Sequence, residues 1–564
     1  MKQVEDGIDQ IPTDIDDDIS FVRTFLLARS RRLKFLWLAI IGLLALGTQQ
    51  VLSLLPSSTT HSSHHQHHHD AIHAIQKCTI HNLHQHSSFL DTALPITLEE
   101  FTQRRNRLAE ALHESNIDAF ILEPGYSFQY YANISQTDWE PWEPEERPFL
   151  MVVQPDVDAE SGQILARTSF LAPHFEEDRV RMLGMPFRSM TREGEGRAAA
   201  AAPAPAVGVV PKGLDMDLDI IVWEEDENPY QVLRNTTFRN ISDVKVTVMV
   251  DEEIRDFIVR GLSTAGFETV GLNHQVESVK QRKTSAEIEL LRAVNTGTVE
   301  AVRQMRPCLV PGLTEDQVTM ILNNALLSVG FSLFFNIVLF DENAALPHGG
   351  TVTGDMILGY DTMVLIDVGA HFMGYSSDIS RSFFIDGPAR SSIRRRRCWY
   401  TWLMDLVDFL SFKESSSSSS GQVSSSTPEQ NLEHSDLGNL HTLKLEIWNL
   451  VLAAQDASIL AMTPAHAAAD VDVAARDVIS AAGYGDQFTH RVGHGIGIKA
   501  HESPYLNKGN THARLLPGMT FTSEPGVYLE SKFGVRHEDV FLVSELGLPA
   551  ECLSGRRAQG PWDP

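Results

Sequence analysis

The chain has 564 residues, and 46 Lys+Arg against 74 Asp+Glu give a net charge of −28. With 43% hydrophobic and 8% aromatic residues it can fill a core, which excludes wholesale disorder. The acidic balance excludes a nucleic-acid binder, because that function needs a basic face to neutralise phosphates. Four cysteines (Cys78, Cys308, Cys398, Cys552) are too few and too scattered for a disulfide scaffold or a Cys-ligated zinc site. Any metal must therefore be held by His, Asp and Glu. The length suits two or three domains once tails are set aside.

In chain order, residues 1–34 begin acidic (Asp14, Asp16, Asp17, Asp18) and end basic (Arg29, Arg31, Arg32, Lys34). Phe35–Leu55 follows without a charged residue. Its 21 residues would span about 31 Å as a helix, enough to cross a hydrocarbon core of roughly 30 Å. Thr48-Gln49-Gln50 interrupts the run. The reading is a single amino-terminal transmembrane helix, a signal anchor. With the basic flank on its amino side, residues 1–34 form a cytoplasmic tail and the rest is lumenal or extracellular, in the secretory pathway or vacuole. A cleaved signal peptide with Phe35–Gly47 as its apolar part is the rival, and a soluble segment the third reading. The sequons at Asn133, Asn235 and Asn240 fit a secretory route.

Residues 56–94 hold ten of the 23 histidines, between His61 and His86, among many Ser and Thr. With little to bury, this stretch reads as an unstructured linker rather than a metal store. From 95 to 272 the pattern is α/β. Leu98–Leu112 is an amphipathic helix, and Ile117–Leu122, Phe149–Val153 and Ile220–Trp223 are strands. An Ala/Pro/Gly-rich run over 191–219 reads as a surface insertion.

From 273 to 564, Ser285–Met305 and Thr314–Leu327 have helical spacing, the second behind a Thr-Glu-Asp cap. Met363–Ala370 is an apolar strand carrying Asp367, and Asp378 follows eleven residues later. A turn at Gly374 would pair the two segments as a hairpin and bring both aspartates to one end. His494 lies among glycines in Arg491–Gly497, and His501-Glu502 follows. Glu524 and Glu538 each sit in an apolar stretch. Singly, each has a bland reading as a turn or a hydrogen-bonded core residue. Together they are two Asp, two Glu and one His in hydrophobic segments. Four buried carboxylates stay ionised only if cations neutralise them. Two divalent metal ions supply the four charges, and this donor set suits Mn²⁺, with Zn²⁺ or Co²⁺ as competitors. Two such ions can share and activate a hydroxide.

The segments DVGAHFMGYSSDISRSF, GHGIGIKAHESP, SEPGVY and GVRHEDVFLV resemble the metal-binding blocks of the pita-bread (M24-type) metallopeptidases, in the branch of Xaa-Pro dipeptidases and aminopeptidases P. The resemblance covers about 95–564. It implies an α/β amino-terminal domain of creatinase/prolidase type over 95–272 and an α+β pita-bread catalytic domain over 273–564. It also implies that Asp367 chelates one metal, that Asp378 and Glu538 bridge both, and that His494 and Glu524 complete the second. His348, in Pro347-His348-Gly349-Gly350, and His501 would bind substrate or stabilise the tetrahedral intermediate. Glu524 would also handle a proton, and Arg536 would orient a bridging carboxylate. The implied substrate is a peptide with proline in second position, or an Xaa-Pro dipeptide; a homodimer is compatible with it.

Methionine aminopeptidases share the ligand set but generally lack the preceding domain, and creatinase shares both domains without the ligands. A non-catalytic binding protein on the same fold is the competing class. One departure stands out. About fifty residues separate Phe384 from the helix near Leu443, and they include Arg394–Arg397, Trp399–Phe412 and the serines Ser415–Ser420. Residues 389–440 therefore read as a translated non-coding segment or a disordered insert, which spares the site if it loops outward and spoils it if it disturbs the strand bearing Asp378.

Overall fold

The computed structural model describes residues 59–140, 146–187, 218–239, 245–387 and 428–564. The first described element is a helix, α1 (Thr59–His84), within the stretch expected to be unstructured. Ile75, Thr79 and Leu83 are buried. Their i, i+4, i+8 spacing places them on one helical face. Cys78 of α1 forms a disulfide with Cys308, 230 residues away, and Phe89 meets Phe331 with ring centroids 6.1 Å apart.

The amino-terminal domain begins with α2 (Leu98–Glu114), capped by Thr97, whose side chain accepts from Glu100 N. Its sheet contains β1 (Ala119–Leu122), β2 (Leu150–Val157), β3 (Ile164–Pro173), β4 (Asp219–Trp223), β5 (Val246–Val250) and β6 (Phe267–Val270). The spatial order is β4-β3-β2-β1-β5-β6. β1 runs antiparallel to β2 and parallel to β5. Arg104 and Arg105 of α2 are buried, not exposed as an interleaved charged face would be. Arg104 donates to Tyr130 O, Glu100 and Tyr375 Oη, and Arg105 to Tyr131 O and Pro186 O. These bonds answer the cost of burying two guanidiniums.

The carboxy-terminal half opens with α3 (Ser285–Met305), started by a capping box between Thr284 and Glu287. A second capping box, Thr314 with Gln317, starts α4 (Glu315–Ser328). Then come β7 (Ser332–Phe340), β8 (Val364–Phe372), β9 (Tyr375–Ser376) and β10 (Ile379–Phe383). β8 lies between β10 and β7, all antiparallel. The hairpin expected from Asp367 and Asp378 is there. Met373 and Gly374 take φ of 48° and 87° at its turn, which glycine adopts without strain, and Asp367 pairs with Ser380 in the ladder.

Helix α5 (Pro428–Ala461) and α6 (Ala468–Ala481) follow, then β11 (Gly493–Gly495), β12 (Glu502–Leu506), β13 (Thr520–Ser523), β14 (Gly526–Leu529), β15 (Phe533–Arg536), β16 (Asp539–Leu542) and β17 (Glu551–Cys552). The second sheet has order β12-β11-β13-β16-β17, and β14–β15 form a ribbon. The fold is thus an α/β domain followed by two antiparallel sheets under helices. Residues 188–217 and 388–427 lie outside the described residues, so the expected insertions over 191–219 and 389–440 fall there, except that Leu218 is described, β4 begins at Asp219 and α5 begins at Pro428.

The expected membrane helix is corrected. Among the described residues no helix is long and apolar enough to cross a membrane. The long α5 carries Glu429, Glu433, Asp436, Lys444, Glu446 and Asp456, and charges at that density are costly in hydrocarbon. Phe35–Leu55, to which the span was assigned, lies outside the described residues and is itself cut by Thr48-Gln49-Gln50. The membrane partner and the lumenal or extracellular placement rested on that span and fall with it.

Candidate active site

Five strand ends and loops meet where the hairpin β8–β10 faces β11, β13 and β15. Asp367 comes from the middle of β8, Asp378 from the residue before β10, and His494 from β11. Glu524 directly follows β13, and Glu538 directly precedes β16. Each is placed by backbone pairing beside it. Glu538 N donates to Ser380 O, and Glu524 N to Val492 O. Asp378 N donates to Asn295 Oδ1 of α3. Gly493 has a packing reason: a Cβ there would lie 2.1 Å from Thr522 O. That close approach lets β11 carry His494 against β13.

Asp367, Asp378, His494 and Glu538 are all buried. Three overlapping trios have ligand atoms within 4.8 Å of one another: Asp367, Asp378 and Glu538; His494, Glu524 and Glu538; and Asp378, His494 and His501. So the structure brings together all five residues expected to hold metal, with His501 at the edge. His494 Nδ1 lies 3.1 Å from Gly495 O, which leaves Nε2 facing Asp378 and Glu524, each at 3.5 Å. Those separations are long for hydrogen bonds. Asp367 Oδ1 and Glu538 Oε1 are buried and have no hydrogen-bond partner. An orphaned buried oxygen costs about 1–3 kcal/mol, more when charged. A cation is the partner such oxygens lack.

The electrostatics agree. Burial, with the nearby Asp367 charge, pushes the Asp378 carboxyl up to about 6. Burial and the Asp378 charge push Glu524 up to about 8. Glu538 is raised well above the carboxylate range by burial and its acidic neighbours. Burial holds His494 well below its ordinary value, so its imidazole is neutral and can ligate.

Arg536 is the cation that faces this cluster from the protein side. It donates to Asp367 Oδ2 at 2.6 Å, Ser380 Oγ at 2.7 Å, Tyr528 Oη at 2.8 Å and Pro347 O at 3.0 Å. Ser380 Oγ in turn donates to Glu538 Oε2. One guanidinium thus holds Asp367 directly and Glu538, a carboxylate expected to bridge, only through Ser380. His501 is half exposed and lies 3.4 Å from Asp378 Oδ2. Its loop is pinned by Lys499, which pairs with Glu252 and Glu253 of the amino-terminal domain, and by the buried Lys283, which pairs with Glu502. His348 sits on an exposed loop whose Pro347 carbonyl Arg536 holds.

Sequence reasoning missed His490 and Tyr528. His490 Nε2 meets Tyr528 Oη at 2.8 Å, and His490 Nδ1 meets Arg491 O at 2.8 Å. Burial lowers His490 to about 3, so Nδ1 donates to the carbonyl and Nε2 accepts from the tyrosine. The pair extends the Arg536 network to the His494 strand. The only signal was His490 four residues before His494, and the tyrosine contact crosses from a loop to β14.

Comparison with known proteins places this architecture. The family model "Metallopeptidase family M24" matches residues 289–404 and 436–545. An uncharacterized peptidase of Schizosaccharomyces pombe is 33% identical over 88% of this chain and 90% of its own length. The probable dipeptidase PepE of Mycobacterium tuberculosis is 28% identical over 59% of this chain and 74% of its own. Among solved structures, dipeptidase PepE from Mycobacterium ulcerans superposes with a TM-score of 0.58 at 22% identity, covering 82% of this chain and 98% of that one. An Xaa-Pro dipeptidase from Bacillus anthracis gives 0.54 at 20%, covering 81% and 99%. A variant of Escherichia coli aminopeptidase P gives 0.53 at 17%, covering 83% and 97%. At those identities the solved structures establish the fold. The match over nearly the full length of the yeast peptidase goes further, and with it the chain belongs to metallopeptidase family M24.

Proposed function

We propose that this metallopeptidase cleaves Xaa-Pro bonds, at the amino terminus of peptides or in dipeptides, with two divalent ions held by Asp367, Asp378, His494, Glu524 and Glu538. The observation that carries the reading is the pair of orphaned buried oxygens, Asp367 Oδ1 and Glu538 Oε1, inside a cluster of four carboxylates. The donor set favours Mn²⁺, with Zn²⁺ or Co²⁺ as alternatives. When bound, such a pair of ions neutralises the carboxylates and lowers the pKa of water enough to make a nucleophile at neutral pH.

The remaining work falls to side chains of the chain. Glu524, which lies against His494 at the cluster, takes the proton of the attacking water as a carboxylate and delivers it to the leaving proline nitrogen. His501, half exposed beside Asp378, and His348, exposed on its loop, bind the substrate and stabilise charge on its carbonyl oxygen. Arg536 keeps Asp367 oriented. The neighbours named Xaa-Pro dipeptidase and aminopeptidase P support the proline specificity.

The test is hydrolysis by the purified chain, with and without added Mn²⁺, of an Ala-Pro dipeptide and of a longer peptide beginning Ala-Pro. Metal-dependent cleavage is expected. Cleavage of the dipeptide alone marks a dipeptidase; cleavage of the longer peptide marks an aminopeptidase. Two bound ions with neither substrate cleaved would refute the specificity.

A further inference from the structure

The loop that carries His348 runs between β7 and β8, and both of its ends are clasped by one carboxylate far from the metal cluster in the chain. Glu315, the first residue of α4, is buried. It accepts from Phe340 N at 2.7 Å, from Asn343 Nδ2 at 3.0 and 2.9 Å, and from Gly354 N at 2.7 Å. Phe340 ends β7, Asn343 lies three residues on, and Gly354 lies six residues beyond His348. The far end is also tied through backbone, Asp316 N to Gly354 O and Glu315 N to Met356 O. Gly354 has φ of 113°, and a Cβ there would lie 2.7 Å from Asp316 Oδ1, so the loop approaches α4 as closely as backbone allows.

Between these clasped ends the loop touches the cluster through Pro347 O, which accepts from Arg536. His348 is the next residue and is exposed, as is Leu346 on the other side. A chain segment fixed at both ends, and held between them at Asp341 by Met363 and Lys444 and at the Pro347 carbonyl by Arg536, presents its exposed side chain in a narrow range of positions. The lone pairs of Glu315 are occupied by loop donors, so Glu315 is spent on geometry and not on substrate.

We infer that Glu315 is a positioning residue that sets where His348 meets the substrate. The inference rests on the substrate role given to His348 above. Glu315→Gln keeps the volume but replaces one acceptor oxygen with a donor, which must face a backbone or amide N–H. The loop end then releases while the metal cluster keeps its own bonds.

The test is a double-mutant cycle in the full chain with Mn²⁺: parent, E315Q, H348A and E315Q/H348A, each measured for kcat/KM on the longer Ala-Pro peptide, bound metal and melting temperature. Displacing a positioned group by about 1 Å can cost about 100-fold. E315Q is expected to lower kcat/KM by about 10- to 100-fold, to retain two metal ions, and to add nothing to the loss in H348A. Losses that multiply in the double variant, loss of metal in E315Q, or full activity of E315Q beside an impaired H348A each overturn the inference alone. H348A as active as the parent removes the role of His348 and the inference with it. If E315Q does not fold, N343A takes its place. It removes two of the four bonds and leaves the buried carboxylate, and the same non-additivity with H348A is expected at a smaller loss.

Discussion

Glu538 and Asp539 are adjacent, equally buried carboxylates with opposite surroundings. Asp539 Oδ1 accepts from Arg381 and Ser554, both at 2.6 Å, and its Oδ2 from Gln455 at 3.1 Å. Arg381 is itself buried. The protein has neutralised that charge with its own residues. Glu538 receives one hydroxyl, from Ser380, at Oε2, and its Oε1 has no partner. Around it lie Asp367, Asp378 and Glu524. One site is finished as a fold element; the other, on the proposed reading, is completed by cations. Burial alone therefore does not mark a candidate metal ligand; what sets Glu538 apart is an unpartnered carboxylate oxygen among other carboxylates.

The largest effect should come from breaking the unfinished site. Asp378→Ala or Glu538→Ala removes a bridging charge, and activity is expected to fall to background with bound metal reduced, read by elemental analysis of the purified variants. Two ions retained in both variants would erase the contrast. Next is the finished site. Arg381→Met leaves Asp539 buried and unpaired, which typically costs about 3–5 kcal/mol. Urea unfolding should show that loss, and the folded fraction should still bind two ions.

A smaller effect sharpens the same comparison through pH. In the metal-free protein Asp378 is raised to about 6 and Glu524 to about 8, against about 4 for an unfolded carboxyl. Both carboxyls bring extra protons into the folded chain up to about pH 8, while His490 and His494, held neutral in the fold, take up protons on unfolding below about pH 6.5, so the folded chain holds more protons only between about pH 6.5 and 8. Its stability must fall as pH rises through that window. With cations bound the carboxylates stay ionised in the fold as they are in the unfolded chain, so that fall should disappear over the same range. Melting temperatures from about pH 6.5 to 8 should fall without Mn²⁺ and stay level with it. Parallel slopes would mean that the cluster does not carry the cations.

What the sequence disclosed follows the same division. The hairpin was legible because an apolar strand, a Gly374 turn and a second apolar strand have a period that local chemistry enforces. The five metal-binding candidates were legible because charge inside apolar segments is conspicuous without any contact map. Helix α1 was not, since Ser, Thr and His have modest helix propensity. Its buried face of Ile75, Thr79 and Leu83 counts only once a surface covers it. The Cys78–Cys308 disulfide, the Arg104 network and the clasp of Glu315 join residues distant in sequence, and no local pattern announces such pairs. The Thr-Glu-Asp start of α4 reads as a helix cap. Thr314 indeed caps the helix, while Glu315 reaches across to the loop.

The most direct measurement is a crystal structure of the chain grown with Mn²⁺, with anomalous difference density collected near the manganese edge. Two peaks are expected, both within the first coordination distance of Asp367, Asp378, His494, Glu524 and Glu538, with Asp367 Oδ1 and Glu538 Oε1 among the ligating atoms. Density elsewhere, a single ion, or two ions that leave those oxygens unpartnered would contradict it.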